Sequence, residues 1–553
     1  MTDRDIPPFG TYHWGTASAS AITNSVTDPA GNDVVHTFAA QGASCHLFET
    51  STTEYQGAQA ANQLLRKVDT LSMGAFATDV TTTLYPSLKV KKLHRDPDPG
   101  PGGGLPIFGN VIKDLEYDWG QGATGSLLRE TDTTYKWETN PAYLTAYLLD
   151  LPATVIVKDG SSNRVAETDY AYDEAAYLSP SGVTTQHLAP PNGVRGNQST
   201  VSHWLNISNS FISSHTNWYD TGEVFQKSDP LGHTTSLTYD PAYVGGYVTQ
   251  TCSPQTGSVT HCVSGTYDFN TGVLSSLTNE NATTQAAGNT QGDSAHTSNY
   301  SYDSIFRITS AQAPPDSANG GARAQNTFTF SAPNTFPVSM QRTKSITNAL
   351  SDSATSFFDG LGRSYKSQHA VPGNTATVDT TFDAAGHPAT VSNPYFSTAD
   401  PTYGTTASVY DAVDRPFQVT KQDGSISSVN YNVAVANPGD CTDTKDEAGK
   451  QRRTCSDALG RLVEVDEPNP GAGISTATGN VVINGHEQAN PQPVIHGTGW
   501  VVIGGAETST QVCQDAPPPH NTCHTVWDQG GVTITVNGYS ESVGYSLNVN
   551  TTA

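Results

Sequence analysis

Aspartates that directly follow an aromatic residue are the residues of this sequence with the clearest potential for chemistry. Asp220-Thr221-Gly222 has the letters of the aspartic protease triplet, in which two carboxylates share one proton. The nearest second copy, at Asn270, carries an amide in place of the second acid. Because Tyr219-Asp220 belongs to a series of aromatic-Asp pairs, the main interpretation of Asp220 is structural, and a hydrolase that uses Asp220 is an alternative.

The cysteines are a second group with chemical potential, and six of the seven fall in close pairs. The pairs are Cys252 with Cys262, Cys441 with Cys455, and Cys513 with Cys523, while Cys45 stands apart. Each pair brackets a turn-rich segment, which favours disulfides between adjacent strands and therefore an oxidising compartment. Spacing alone also fits reduced cysteines.

A zinc site is a weaker alternative for the last cysteine pair. Its ligands would be Cys513, His520, Cys523 and His524. Residues 523 and 524 would point to opposite faces of a strand, and the sequence has no Cys-x-x-Cys motif. The sequence therefore predicts no metal ligand, no cofactor and no catalytic residue.

The charge balance of the chain narrows the class of partner. The 553 residues include 27 Lys and Arg against 52 Asp and Glu, a net charge of −25, which argues against nucleic acid and anionic membranes. The basic run from Lys89 to Arg95 is expected on the solvated side of a strand. No apolar stretch reaches the ~18 residues of a membrane span, and residues 1–10 lack the pattern of an export signal.

The elements that position these residues are short repeats. Aromatic-Asp pairs, or a Ser-Asp substitute, recur along the chain at Tyr219, Tyr267, Tyr302, Phe358, Phe382, Tyr410 and Ser456. A second motif recurs as DPAGN at Asp28, DPLGH at Asp229 and DEAGK at Asp446. Nine residues separate Asp220 from Asp229, and the segments between turns alternate polar and apolar residues. This pattern predicts one β-hairpin after another.

The residue types in the repeat have physical reasons. The aromatic residue supplies a large apolar contact at the end of a strand, and the Asp can accept hydrogen bonds from the amides of the coming turn. A glycine late in the turn allows positive φ, and Asp414 is a tolerable substitute. Phe306 is a poor substitute for glycine at this position, so the turn at Asp303 is expected to differ from the others.

The motifs FDGLGRS, FDAAGHP, SDALGRL and DPLGHTTSLTYD resemble the YD repeats of the Rhs family, found in bacterial Rhs proteins, the C component of insecticidal toxin complexes and teneurins. The resemblance covers residues 200–470 well and residues 1–200 loosely. It implies a ribbon of antiparallel hairpins that spirals into a hollow shell. Relatives that release a toxin cut themselves at a DPxGL-type segment, but the DPLGH at Asp229 continues as another repeat, so no catalytic residue is carried over.

The chain divides into three parts at this level. Residues 1–199 are degenerate repeats with a Pro/Gly loop at 96–106, and residues 200–470 are the clear repeats. After residue 470 the composition changes, and TGNVVINGHEQ recurs as TGWVVIGGAET. The fold class is therefore all-β: irregular antiparallel hairpin repeats that form a curved, partial shell, with a separate small C-terminal β repeat module at 471–553.

The function predicted from these features is that of a non-enzymatic shell or scaffold segment, outside the cell or on its surface. Its partners would be other protein chains or domains that continue the shell. A carbohydrate-binding or adhesive surface protein is the alternative, because 24 Tyr and 7 Trp among uncharged polar residues suit stacking on sugars. The repeats supply too few strands to wrap a cavity, so we expect an open trough whose edges need a neighbour.

Overall fold

The structure, a computed structural model, describes residues 22–40, 47–103, 108–183, 193–257, 259–281, 293–317, 320–332, 334–346 and 349–467. For residues 3–5 and 11–14 and for short strands after residue 480 it describes the backbone alone.

Nearly all of the regular secondary structure in the described residues is β-strand. Up to residue 172 the strands are β1 Asp3–Asp5, β2 Thr11–Trp14, β3 Ile22–Thr27, β4 Asp33–Ala40, β5 Leu47–Tyr55, β6 Leu64–Met73, β7 Phe76–Leu84, β8 Lys89–Pro97, β9 Val111–Gln121, β10 Leu127–Tyr135, β11 Pro152–Asp159 and β12 Arg164–Tyr172. The helices α1 Lys136–Thr139 and α2 Pro141–Thr145 lie between β10 and β11.

The middle of the chain continues in the same way. Its strands are β13 Leu178–Ser179, β14 Gln198–Leu205, β15 Ser210–Tyr219, β16 Val224–Ser228, β17 Thr234–Tyr239, β18 Val248–Thr256, β19 Val259–Tyr267, β20 Leu274–Thr278, β21 Thr297–Tyr302, β22 Ile308–Asp316, β23 Ala322–Phe330, β24 Val338–Ser345, β25 Ser351–Phe358, β26 Ser364–Val371 and β27 Asn374–Phe382.

The last strands of this ribbon are β28 Pro388–Ser392, β29 Thr405–Tyr410, β30 Pro416–Thr420, β31 Ile426–Asn430, β32 Asp440–Lys445, β33 Gln451–Ser456 and β34 Leu462–Asp466. Beyond it lie β35 Val481–Ile483, β36 His486–Glu487, β37 Thr508–Cys513, β38 Cys523–Asp528, β39 Val532–Val536 and β40 Tyr539–Glu541.

From β1 to β34 each strand pairs antiparallel with the next, except that β12 pairs directly with β14. The short β13 instead lies parallel to β15. The ladder is open, because the described residues of β1 and β34 do not pair with each other. The predicted all-β fold of antiparallel hairpins in a curved, partial shell is therefore correct. The Pro/Gly loop starts later than expected, since β8 extends to Pro97.

Most strand residues of the ribbon are half-buried on both faces, as expected for a single layer of sheet. An apolar cluster of buried side chains forms where the two helices pack on the sheet. It consists of Tyr135, Trp137, Tyr143 and Tyr172. The Tyr143 hydroxyl donates to Asp173, which also accepts from the backbone amides of Arg195 and Gly196 at 2.9 and 2.8 Å.

The turns are held by an arrangement that we call the Asp clasp. In the Asp359 turn, Oδ1 accepts hydrogen bonds from the amides of Leu361 and Arg363 at 2.9 and 3.0 Å, and Oδ2 accepts from Arg363 Nε at 2.8 Å. The same three bonds occur in the turns that begin at Asp159, Asp229, Asp303, Asp411 and Asp457. The predicted bonding of a motif Asp to turn amides is confirmed in these turns, whereas Asp220 accepts from the Ser181 amide instead.

The expectation that the Asp303 turn differs was wrong. Phe306 has φ +65°, close to Asp414 at +66° and to Gly362 at +80° in the matching positions. Positive φ is unfavourable for a residue with a Cβ, by about 1–2 kcal/mol. Asp303 nevertheless accepts the same three hydrogen bonds as the other clasp aspartates. These bonds hold Phe306 at a positive φ that its side chain disfavours.

The strands after residue 480 form two small sheets of their own. One contains β35, β36, β39 and β40, and the other pairs β37 with β38. The ladder of the second sheet places Cys513 directly opposite Cys523.

Candidate functional site

Two distant parts of the ribbon meet at a contact that we call the seam. One side is formed by residues 56–118 and the other by residues 411–458. Its hydrogen bonds run from Ala412 N to Gln56 Oε1 (2.9 Å), from Asn432 Nδ2 to the Tyr85 carbonyl (3.2 Å), from Ala458 N to Asp118 Oδ1 (3.0 Å), from Lys91 Nζ to the Ala458 carbonyl (3.4 Å) and from Lys89 Nζ to the Asn437 carbonyl.

The seam joins opposite edges of the ribbon. Its early residues lie at the ends of β5, β7 and β9, and its late residues lie after β29, β31 and β33. In a meander, successive turns lie alternately on the two edges of the sheet. Because β13 is left out of the ladder, the turns after β5, β7 and β9 lie on one edge and the turns after β29, β31 and β33 lie on the other. Contact between opposite edges is the geometry of a spiral, in which one turn of the ribbon stacks on the next.

This finding corrects one part of the prediction. The repeats were expected to be too few to wrap a cavity, but the ribbon completes a turn, while its ladder stays open between the described residues of β1 and β34. From β7 to β31 the ladder advances by 23 strands, since β13 takes no part in it. At ~4.8 Å per strand, one turn measures roughly 110 Å around, or about 35 Å across for a circular path. The repeats are therefore sufficient to surround a space.

Lys89 is the most buried cation of the seam and also corrects a prediction. Its side chain was expected to be solvated, but Lys89 is 3% exposed and donates to the Asn437 carbonyl. Burial lowers the pKa of Lys89, and the nearby Asp440 and Asp118 carboxylates oppose that shift. Lys91, two residues on, lies 5.0 Å from the Trp119 ring centre. The first part of the basic run thus joins two turns of the spiral.

Asp440 is the acidic group of the same region. Burial raises the pKa of Asp440 to about 6, and the charges of Arg415, Lys89 and Lys91 only partly oppose the shift. Its Oδ1 atom is buried and accepts no hydrogen bond from any described residue. Asp411 and Asp457, whose clasps form seam turns, are 8% and 6% exposed. The seam therefore buries several charges. The raised pKa of Asp440 makes the stability of the seam depend on pH.

Along one edge of the ribbon, arginines and aromatic rings link successive turns. Arg363 clasps Asp359, and its guanidinium lies 3.9 Å from the centre of the Phe382 ring. Arg307 lies over Phe330 at 4.0 Å in the same way. Arg415 lies over Tyr431 at 4.1 Å. Each arginine therefore joins its own turn to the end of the next strand on that edge.

Tyrosine hydroxyls add a second link between successive turns. Tyr431 donates to the Pro416 carbonyl at 2.9 Å and Tyr410 to the Pro388 carbonyl at 3.2 Å. The same bond is made by Tyr239, Tyr267 and Tyr302 to the first residue of an earlier strand. These rings, which suggested a sugar-binding surface, are engaged in holding the turns together.

Asp220 occupies a different position from the other motif aspartates. Its Oδ1 accepts from the Ser181 amide at 2.7 Å, and its carbonyl accepts from Arg195. The Ser181 amide, followed by the Ser181 side chain, lowers the pKa of Asp220. An acid of a protease dyad instead shares a proton with a second carboxylate. The contacts of Asp220 favour the structural interpretation.

Two of the predicted disulfides lie within the described residues. Cys252–Cys262 and Cys441–Cys455 are bridged, each with its Cα atoms 4.0 Å apart. Cys441 and Cys455 are fully buried beside the seam. Cys45 and His520 lie outside the described residues, and so do the side chains of Cys513, Cys523 and His524. The zinc alternative is therefore not tested.

Sequence reasoning missed two features of this region. In FDGLGR, YDAVDR and SDALGR an Arg stands four positions after the motif Asp, and in FDAAGH a His stands there. This recurrence signals the side chain that closes the Asp clasp and that stacks on the aromatic ring of the next strand on the same edge. The pairing of Lys89 with residues near Asn437 has no such signal, because contacts across 348 residues depend on the length of one turn of the spiral.

Among the comparisons with known proteins, only those with solved structures find a similarity. No protein family model and no curated protein matches this sequence. The chain is similar to one in the crystal structure of TcdB2-TccC3-TEV, at 10% identity over 81% of this chain and 37% of that chain, with a TM-score of 0.46.

Two further solved structures match at 10% identity. They are a Photorhabdus luminescens Tc holotoxin pore (84% of this chain, 34% of that chain, TM-score 0.22) and TcdB2-TccC3 (83%, 34%, TM-score 0.20). This chain spans about a third of the length of the chains it matches. No described helix is long and apolar enough to cross a membrane.

Proposed function

We propose that this chain is a non-enzymatic wall segment of a Rhs/YD-type shell, which encloses or contacts other proteins outside the cell. The observation that carries the proposal is the seam, in which turns on one edge of the ribbon contact turns on the other edge. A ribbon with this contact surrounds a space. Other protein chains or domains would continue the wall beyond the open ends of the ladder.

The surface chemistry of the ribbon supports the role of a wall. On one face, from β18 to β25, uncharged side chains bond to one another across the strands. Examples are Gln250 with Ser264 at 3.1 Å, Thr266 with Ser276 at 2.6 Å, Gln325 with Ser310 at 2.9 Å and Thr343 with Ser353 at 2.9 Å. Groups that satisfy one another in this way offer few contacts for a specific ligand.

Two disulfides support placement in an oxidising compartment. The role of residues 471–553 as a separate module belongs to the same proposal. The two small sheets of this module are separate from the sheet of the ribbon.

Small-angle scattering of the full chain tests the proposal. A compact protein of 553 residues has a radius of gyration of about 24 Å. We expect a larger value and a pair-distance distribution shifted to long distances, as for a hollow particle. A compact profile near 24 Å would rule out a wall that encloses space.

A further inference from the structure

The seam shows how one edge of the ribbon binds the other. We call the edge with the turns after β5, β7 and β9 the first edge, and the edge with the turns after β29, β31 and β33 the second edge. In the second-edge clasps of Asp411 and Asp457, the residue after the Asp donates its amide to a side-chain oxygen of the first edge, at 2.9 and 3.0 Å. The next residue of each clasp, Val413 or Leu459, is half-buried. Contact at the seam therefore engages both the amide and the apolar side chain at the tip of a clasp.

Two clasps earlier on the second edge are uncovered at the same positions. They follow β21 and β25, which lie eight and four strands before β29 in the ladder and so turn on the same edge. Their apolar tip residues, Ile305 and Leu361, are 65% and 56% exposed. The amides of Ser304 and Gly360 donate to no residue that the structure describes, and a Cβ atom added to Gly360 would meet no atom within 4 Å. These tips have the groups that the seam uses, in a solvent-exposed position.

The first edge also carries exposed apolar side chains away from the seam. The turns after β14, β16 and β18 lie on this edge, because β13 takes no part in the ladder. Ile207, Leu231 and Val259 lie in or beside these turns and are 99%, 82% and 56% exposed. Exposed apolar groups on successive turns of one edge are typical of a surface that contacts another protein.

We propose that the turns after β21 and β25 of one copy bind the turns after β14, β16 and β18 of a second copy of this chain, head to tail. The seam identifies the partner, because it is a contact between these same two edges within one chain. The two edges face opposite ways along the axis of the spiral, so a contact between different surfaces repeats from copy to copy. This inference rests on the proposed function and names the next chain of the wall as a copy of this one.

The charge of the chain sets the conditions for this contact. Each copy carries a net charge of −25, which repels other copies. Salt screens that repulsion but does not weaken the burial of apolar side chains. Association through the tips of the turns should therefore become tighter as the salt concentration rises.

Sedimentation velocity of the full-length chain measures this association. We expect the mean mass to rise above that of one chain between about 1 and about 100 µM, and to rise further when NaCl is raised from about 0.05 to about 0.5 M. Leu361→Gln on the second edge and Leu231→Gln on the first edge should each weaken association about 10-fold, because each removes an apolar side chain from the contact. The matched control Val391→Gln replaces an exposed valine within β28, away from the turns, and should leave association unchanged.

A mixture of the two edge variants tests the head-to-tail arrangement. The Leu361→Gln chain keeps an intact first edge, and the Leu231→Gln chain keeps an intact second edge. The mixture should therefore form dimers with the affinity of the parent chain, while growth beyond the dimer stays about 10-fold weaker. Dimers restored in this way also show that both variants are folded.

Three results would overturn the inference: a chain that stays monomeric at about 100 µM in both salt concentrations, an equal loss of association in Val391→Gln, or a mixture that associates no more than either variant alone. Each leaves the proposed function unchanged, because the hollow shape is measured by scattering from the single chain at a concentration below that of association. A compact single chain would instead contradict the proposed function.

Discussion

The Asp118 carboxylate accepts a hydrogen bond from the Ala458 amide at 3.0 Å, across 340 residues of sequence. Asp118 Oδ1 also accepts from the Trp119 amide at 2.8 Å, so the carboxylate links the end of β9 to the turn after β33. Together with the four other bonds of the seam, this contact turns a long meander into a spiral.

The stability of the seam should depend on the charge of Asp440. Its pKa is raised from 3.8 to about 6 in the folded protein, so the folded state binds the proton more tightly than the unfolded state does. The stability contributed by the protonated form is full below pH 4 and is lost as the pH rises through about 6.

Asp440→Asn, which is neutral at every pH, should therefore raise the urea midpoint at pH 8 and change it little at pH 4. We expect a difference on the order of 1–2 kcal/mol after allowance for solvent screening. A variant that is less stable than the parent at pH 8 would show that the ionised carboxylate stabilises the seam.

Phe306→Gly should stabilise the protein. The substitution relieves a positive φ of +65° at a side chain that is 56% exposed, so little packing is lost. We expect a gain of about 1 kcal/mol, measured as a rise in Tm. Gly362→Ala, at the matching position with φ +80°, should lower Tm. A fall in Tm for Phe306→Gly would mean that the ring makes a stabilising contact.

Arg363 should not be replaceable by Lys. Its planar guanidinium bonds to Asp359 and stacks on Phe382 at the same time, which an ammonium group does not reproduce. We expect both Arg363→Lys and Arg363→Gln to destabilise the protein, by about 1 kcal/mol from the ring contact alone. If Arg363→Lys retained the parent Tm, the charge rather than the shape of the group would stabilise the turn.

Peptide mapping without reduction should find Cys252 linked to Cys262, Cys441 to Cys455 and Cys513 to Cys523, with Cys45 free. The first two links are present in the structure, and the third follows from the ladder register. Because Cys441 and Cys455 are fully buried, their disulfide should resist reduction longer than Cys252–Cys262, in which Cys252 is half-buried. Faster reduction of Cys441–Cys455 would indicate that the seam is open in solution.

The sequence predicted the parts of this fold that are local. Alternating segments, turn residues and the Asp at each turn specify hairpins within about 20 residues, and these predictions were correct. Phe306 was misjudged because the bonds of Asp303 outweigh the backbone preference of one residue. The seam was missed because it depends on curvature summed over 23 strands, which no short motif encodes. Lys89 looked solvated for the same reason.

The distance across the seam tests the spiral most directly. Spin labels at Ala123→Cys and Ala436→Cys, in a Cys45→Ser background, would occupy exposed positions on its two sides. Ala123 adjoins Gly122, which bonds to the Leu88 carbonyl, and Ala436 adjoins Asn437, which bonds to Lys89. From the reach of these few residues, pulsed electron paramagnetic resonance should give a mean distance below about 30 Å. A distribution centred well above about 40 Å would contradict the spiral, because the two edges would then lie apart in solution.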